Sequence, residues 1–315
     1  ENLRLGIVNE AAGVAECYMP VLIKLGIERV VLIGDHKQLA NADRNDEVSC
    51  PKHFNIQRSF MERALEVGVE PHLLMIQYRL PSYLCRLVSD LFYQSRLQSG
   101  NRDPRRDVEI LRWINVEAGE EDCGTSKVNI HQIAAMYSLL KNDPVLARTE
   151  EKDSILICTF YKPQVDLIEA MLEEFLPKRR KENKGNVDVS TVDASQGKEA
   201  RHVILVTART KEVGFTREPR RLCVALSRAQ ESLTIIGKSS LFGQNRHKNW
   251  RVVVDRSQKI NHISKDVSIG EVKEFVTEQL REKQRALAPR EGKGKGKGKT
   301  KSEGKGKGKL HRKGY

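Results

Sequence analysis

The chain has no CxxC pair, no apolar run of membrane-spanning length, no GxxxxGK[ST] segment, and few aromatic residues, 5% of 315. Each absence excludes something. Six cysteines (17, 50, 85, 123, 158 and 223) are scattered, which argues against a disulfide frame and for reduced thiols in a cytoplasmic or nuclear compartment. Cys50 and His53 have ligand-like spacing, but no second pair follows, so no metal site is expected there. Apolar runs such as 203–206 are strand-sized, so no membrane partner is expected. No charged-then-apolar leader follows Glu1, so no secretory signal is expected. The Gly-Lys stretch at 292–301 has neither a strand before it nor a helix after it. It is therefore rejected as a phosphate loop.

The chain does have 39% apolar and 31% charged residues, enough for one large or two moderate α/β domains. Its net charge of +13 is uneven. Residues 291–315 carry ten Lys/Arg and two Glu, a balance of +8, which leaves +5 for the first 290. Almost free of apolar side chains, this tail is expected to be a disordered cation that contacts nucleic-acid phosphates and weakens its hold as salt rises.

Along the chain, 3–8 and 30–33 read as buried strands around a helix at 16–25, a β-α-β opening. The strands end at Asn9-Glu10 and Gly34-Asp35, and ligands of open parallel sheets bind at such ends. Residues 41–54 read as a loop, 57–67 and 81–92 as helices, and 99–107 as a connector. A second cycle follows: helix 128–140, strand 154–158, helix 163–175, basic loop 177–185, and strands 187–192 and 202–207. A helix is expected at 222–229, a last buried strand at 233–236 and an amphipathic helix at 270–287. The expected division is a partial first lobe at 1–76, a complete second lobe at 77–255, a helix or linker at 256–290, and the tail.

Several residues suit phosphoryl transfer, which needs phosphate clamping, a placed water and charge neutralisation rather than covalent help. Gln38 follows a strand and can meet a terminal phosphate or the attacking water. Tyr78 offers a face for a base, and Arg79 a guanidinium for phosphate. Arg228, after the apolar 222–226, is a second phosphate candidate, and Glu199 can accept hydrogen bonds from ribose hydroxyls.

Taken in order, Glu10-Ala-Ala, GDHKQL at 34–39, QYRL at 77–80, LFYQSRLQSG at 91–100, TFYKPQ at 159–164, VDASQGKE at 192–199 and GFTREPRRLCVALSRA at 214–229 resemble the superfamily 1B helicases. The nearest group is the nonsense-mediated-decay RNA helicases with their senataxin-like and zinc-finger-containing relatives. The resemblance covers about 3–237. It implies RecA-like parallel sheets of the P-loop NTPase type, with ATP and Mg²⁺ as cofactors and single-stranded RNA or DNA as partner. It also implies site roles. Glu10 would activate the water and Gln38 would sense the γ-phosphate. Tyr78 would stack near the base, with Arg79 and Arg228 as arginine fingers. Gln196, Gly197 and Glu199 would form a coupling segment beside ribose and phosphates. Thr159, Tyr161, Ser190 and Thr191 would lie near the nucleic-acid backbone.

The chain departs from the pattern in three places. The family's Gly-Lys-Thr loop lies upstream of its Asp-Glu motif and is not in this sequence, so the chain is expected to begin inside the first lobe and to be inactive alone. Asn9 stands where the family has Asp, and an amide brings no negative charge to Mg²⁺. Gln230 replaces a residue that is basic in many relatives. Two alternatives stay open: a non-catalytic nucleic-acid-binding module descended from a helicase, and an interaction protein whose lobes dock partners.

Overall fold

A computed structural model describes residues 4–39, 58–100, 109–147, 154–180, 186–260 and 268–287. The loop read at 41–54, Cys50 and His53, most of the connector at 99–107 and the basic tail lie outside them.

The second lobe is built on a six-stranded sheet in the order β12-β5-β11-β10-β8-β9, with every pair parallel. Its strands are β5 (Leu111–Asn115), β8 (Ile155–Thr159), β9 (Val187–Thr191), β10 (Ala200–Val206), β11 (Ala229–Gly237) and β12 (Gln258–Ile260). All five residues of β8 are buried, as a parallel strand covered on both faces requires. One face packs helices α3 (Ser82–Phe92), α6 (Pro219–Leu226), α7 (Ser239–Phe242) and α8 (Lys248–Arg256) around Trp113, Phe242 and Trp250. The other face holds α4 (Ile130–Asn142), α5 (Lys162–Phe175) and α9 (Ser268–Leu287).

Local chemistry sets several boundaries. Asn129 caps α4 by accepting from Gln132 N, and a proline lies in the first turn of α5 and of α6, where its missing N–H costs nothing. Helix α2 (Phe60–Glu66) starts on a complete Ser59/Glu62 capping box.

The sequence expectation for 222–229 needs correction. The helix starts three residues earlier, at Pro219, and stops at Leu226. Arg228 then sits in a turn, and Ala229 opens β11. The described parts of the segment at 256–290 pack onto the second lobe: β12 joins its sheet, and Val272, Val276 and Leu280 of α9 are fully buried in the core with α4 and α5. A two-stranded antiparallel hairpin, β6 (Glu120–Cys123) and β7 (Ser126–Asn129), precedes α4.

The first lobe contributes a two-stranded parallel sheet, β1 (Leu5–Val8) and β2 (Arg29–Leu32), with α1 (Met19–Lys24) and α2 beside it. Leu5, Ile7, Val31 and Ile33 are exposed there, unlike the covered strands of the second lobe. A short parallel pair, β3 (Ile76–Gln77) with β4 (Gln98–Ser99), flanks α3 in the chain. Leu39, just past the end of β2, is buried in the core of the second lobe and ties the two parts together.

Candidate nucleotide and nucleic-acid site

Two groups of candidate residues occupy opposite ends of the second sheet. Arg79, Glu199 and Arg228 gather at the N-terminal ends of β10 and β11. Thr159, Tyr161, Ser190 and Thr191 stand at the C-terminal ends of β8 and β9. All strands run the same way, so the backbones of the two groups lie a strand's length apart, but the Arg228 guanidinium reaches back to Ser195 O, four residues past Thr191.

The N-terminal group meets the first lobe. Arg228 is 1% exposed, and its five N–H groups reach five acceptors. Its Nε donates to Val224 O at 3.0 Å, Nη1 to Ser195 O at 3.4 Å and Lys198 O at 3.2 Å, and Nη2 to Ser227 Oγ at 2.8 Å and Gln38 Oε1 at 3.0 Å. None of these acceptors is a carboxylate. Burial, with help from the nearby Arg79, lowers its pKa below the ordinary arginine value. Such a charge, solvated only by dipoles in a low-dielectric place, is a strong attractor for an anion.

Arg79 donates through Nε to Glu199 and through Nη1 to Ser227 O at 3.3 Å. The other Glu199 oxygen accepts from Gln230 Nε2 at 2.8 Å. The residue that departs from the pattern at 230 thus helps to orient Glu199. The turn at 195–199 wraps both arginines: carbonyls of Ser195 and Lys198 face Arg228, and the Glu199 carboxylate faces Arg79. Half-buried Gln196 and exposed Gly197, at φ +80°, shape that turn.

On the first-lobe side, Gln38 donates through Nε2 to Asp35 Oδ2 at 2.8 Å, which turns its carbonyl oxygen toward Arg228. The same carboxylate oxygen accepts from Tyr93 OH, at the C-terminal end of α3. Burial pushes the Tyr93 hydroxyl's pKa far up, and Cys223 Sγ lies 3.5 Å away with its thiol pushed up to about 12. Asp35 and Tyr93 had no role assigned from the sequence. They lie 58 residues apart, inside two quoted motifs, and only folding joins them. A third link between the lobes is the ion pair of Arg220 with Glu62.

Asn9 and Glu10 are exposed at the end of β1. Glu10 is left-handed, φ 51° and ψ 40°, a strained state for a residue with a side chain. The next two residues are buried, and Ala11 N donates to Ile33 O at 2.8 Å. A Cβ on Gly34 would stand 2.9 Å from Ala11 N and 3.0 Å from Ala12 N, so only glycine lets β2 end this close to Glu10. Gly34→Ala is expected to destabilise this corner by about 1–3 kcal/mol, read as a lower urea midpoint with the second lobe's own transition unchanged. Tyr78 is 71% exposed and lies over Gly100, where a Cβ would sit 2.4 Å from the ring.

At the opposite end, the candidate side chains differ in access. Thr159 is fully buried and its hydroxyl has no hydrogen-bond partner among the described residues. Tyr161 is 5% exposed, and burial raises its hydroxyl's pKa to about 12. Ser190 donates to Thr191 O, and Thr191 Oγ1 accepts from Ala194 N. Among the described residues no group of three or more His, Cys, Asp or Glu could hold a metal ion, and no helix is long and apolar enough to cross a membrane.

The chain is similar to several known proteins. The family described as "AAA domain" matches residues 56–240. The chain is 31% identical over 268 residues to the helicase required for RNAi-mediated heterochromatin assembly 1 of Schizosaccharomyces pombe, covering 80% of this chain and 25% of that protein. It is 30% identical over 253 residues to the regulator of nonsense transcripts 1 homolog of Neurospora crassa, covering 75% and 22%. The 5'-3' DNA helicase ZGRF1 of Mus musculus is 31% identical over 227 residues, covering 70% and 12%. This chain therefore spans about a quarter of the first of these relatives and less of the other two. Among solved structures, the PRRSV helicase aligns at 14% identity and a TM-score of 0.36, over 87% of this chain and 50% of that one.

Proposed function

The chain belongs to the AAA domain family and, within it, to the superfamily 1B helicases of the nonsense-mediated-decay group, and from that membership we propose that it is the C-terminal part of an ATP-dependent RNA or DNA helicase. What supports this most is one contact: Arg228 of the second lobe bonded to Gln38 of the first, with Arg79 beside it on Ser227 and Glu199. Two guanidiniums next to a glutamine between two lobes match what phosphoryl transfer asks of a protein.

The residues present fit a nucleoside triphosphate. Arg228 offers an uncountered buried charge, Tyr78 an exposed ring, Glu199 a carboxylate and Glu10 a carboxylate at a strand end. When bound, ATP supplies the γ-phosphoryl group that is transferred to water. Glu10 accepts the proton of that water, and Gln38 orients it. Arg79 and Arg228 neutralise charge that grows on the phosphoryl oxygens. Asn9 adds only an amide oxygen toward Mg²⁺, so the ion would depend mainly on the phosphates. Hydrolysis frees the arginines, lets the lobes part, and shifts a single strand held across Ser190 and Thr191. A cytoplasmic or nuclear site suits the free cysteines at 17, 85, 123, 158 and 223.

A second reading, a non-catalytic nucleic-acid-binding module, is favoured by Asn9, which brings no negative charge to Mg²⁺. Both readings predict salt-sensitive binding of single-stranded RNA by the purified chain. Deleting 291–315 is expected to weaken that binding several-fold at low salt and little at high salt, measured by fluorescence anisotropy. Turnover separates the readings. A protein extended through an upstream Gly-Lys-Thr segment is expected to hydrolyse ATP when RNA is added, and the chain alone is not. An extended protein with no such turnover would overturn the motor in favour of the module.

A further inference from the structure

We propose that Phe215 is a stacking platform for one base of a single-stranded nucleic acid, a contact that rests on reading this lobe as a nucleic-acid motor. The turn Gly214–Arg217 buries Thr216 and leaves the Phe215 ring 40% exposed. The backbone is fixed in that presentation. Thr216 Oγ1 donates to Val213 O at 2.6 Å, and Trp250 Nε1 donates to Thr216 O at 2.9 Å. Gly214 takes φ +58°, and a Cβ there would stand 3.3 Å from the Arg209 guanidinium. Exposing a phenylalanine costs transfer free energy, and here the core holds the turn that exposes it.

The surroundings narrow the ligand. The Tyr161 ring lies tilted at 66° with its centroid 4.7 Å from that of Phe215, and the Phe160 centroid lies at 6.3 Å, so the ring is braced. The Arg221 guanidinium lies 5.0 Å from the ring centroid. It is fixed in turn by both oxygens of Asp193, at 2.9 and 3.1 Å. Asp193 follows Thr191 by two residues and Tyr161 follows Thr159 by two, so the ring stands at the C-terminal edge of the sheet. Arg217, two residues along, adds positive charge. A part-exposed aryl ring with a guanidinium over it, at the C-terminal edge of a parallel sheet, suits a polymer with flat bases and anionic links. An acidic peptide would use the charge but not the ring face.

The test is binding of a fluorescent oligouridine to the purified chain across a salt series. Phe215→Leu is expected to weaken binding about 10-fold or more with an unchanged salt slope, because no phosphate contact is lost. Phe215→Trp is expected to hold affinity and to show fluorescence quenching by the oligomer. An abasic oligomer of equal length is expected to bind the native chain as weakly as oligouridine binds Phe215→Leu. Equal affinity for Phe215→Leu and the native chain, at matched melting temperature, overturns the platform and leaves the motor reading intact. Should Phe215→Leu fail to fold, the native chain's ratio between the two oligomers decides, and a ratio of one overturns the platform. No salt-sensitive binding by the native chain overturns the underlying reading and the platform with it.

Discussion

Arg228→Lys is expected to lower the nucleic-acid-stimulated ATP turnover of a complete motor by about 10³-fold, while single-strand affinity stays within about two-fold. Lysine keeps the charge but has three donors on one atom. The five acceptors around Arg228 include carbonyls on both sides of the planar fork, from Val224 on one flank to Ser195 and Lys198 on the other. A single ammonium reaches only some of them, and the others are left unpaired in a buried site, each at about 1–3 kcal/mol. A lower melting temperature is therefore expected as well. The split between kcat and KM separates the two effects. A transition-state contact lowers kcat with little change in KM for ATP, whereas a loosened lobe interface raises KM. Turnover within ten-fold of the native value would reduce Arg228 to a structural wedge beneath the turn at 195–199.

That substitution also marks where sequence reading stops. The neighbourhood of Arg228 is legible as a motif, but the sequence reading places the helix before it three residues too far along. Treating Arg228 as a helical residue hides that it turns back beneath Val224 and across to Gln38. Strands such as β8 and β10 were plain because burial on both faces leaves continuous apolar runs. Strand β5 was not, since Arg112 interrupts it; that side chain is 8% exposed and pairs with Asp143 in the next helix's C-cap. Charge inside a strand reads as loop until its partner is known. Contacts of Asp35 with Tyr93 and of Gln230 with Glu199 join residues 58 and 31 positions apart, and no periodicity reports them. The packing of α9 on α4 and α5 was hidden for a related reason: an amphipathic helix announces that it has an apolar face, not what covers it.

The hairpin β6–β7 supplies the second large effect, and its key residue carries no signal in the sequence. Glu120 opens a run of acidic residues that reads as solvated surface, yet its side chain is 3% exposed. Its Oε2 accepts from Thr210 N at 2.7 Å and Lys211 N at 2.9 Å, and its Oε1 pairs with Arg209 Nη1 at 3.3 Å. It thus holds the loop after β10, in which Ala208 sits at φ +62° and Arg209 packs under Gly214. Glu120→Ala is expected to destabilise the second lobe by about 3–5 kcal/mol, because a buried guanidinium is left without its counter-charge. Removing both charges, as Glu120→Leu with Arg209→Met, is expected to recover most of that loss, and urea midpoints around the double-mutant cycle measure the recovery. The recovered protein is still expected to bind single-stranded RNA more weakly, since the turn carrying Phe215 loses the guanidinium beneath Gly214. A double variant as unstable as Glu120→Ala alone would show that Glu120 acts through its two backbone hydrogen bonds rather than through Arg209.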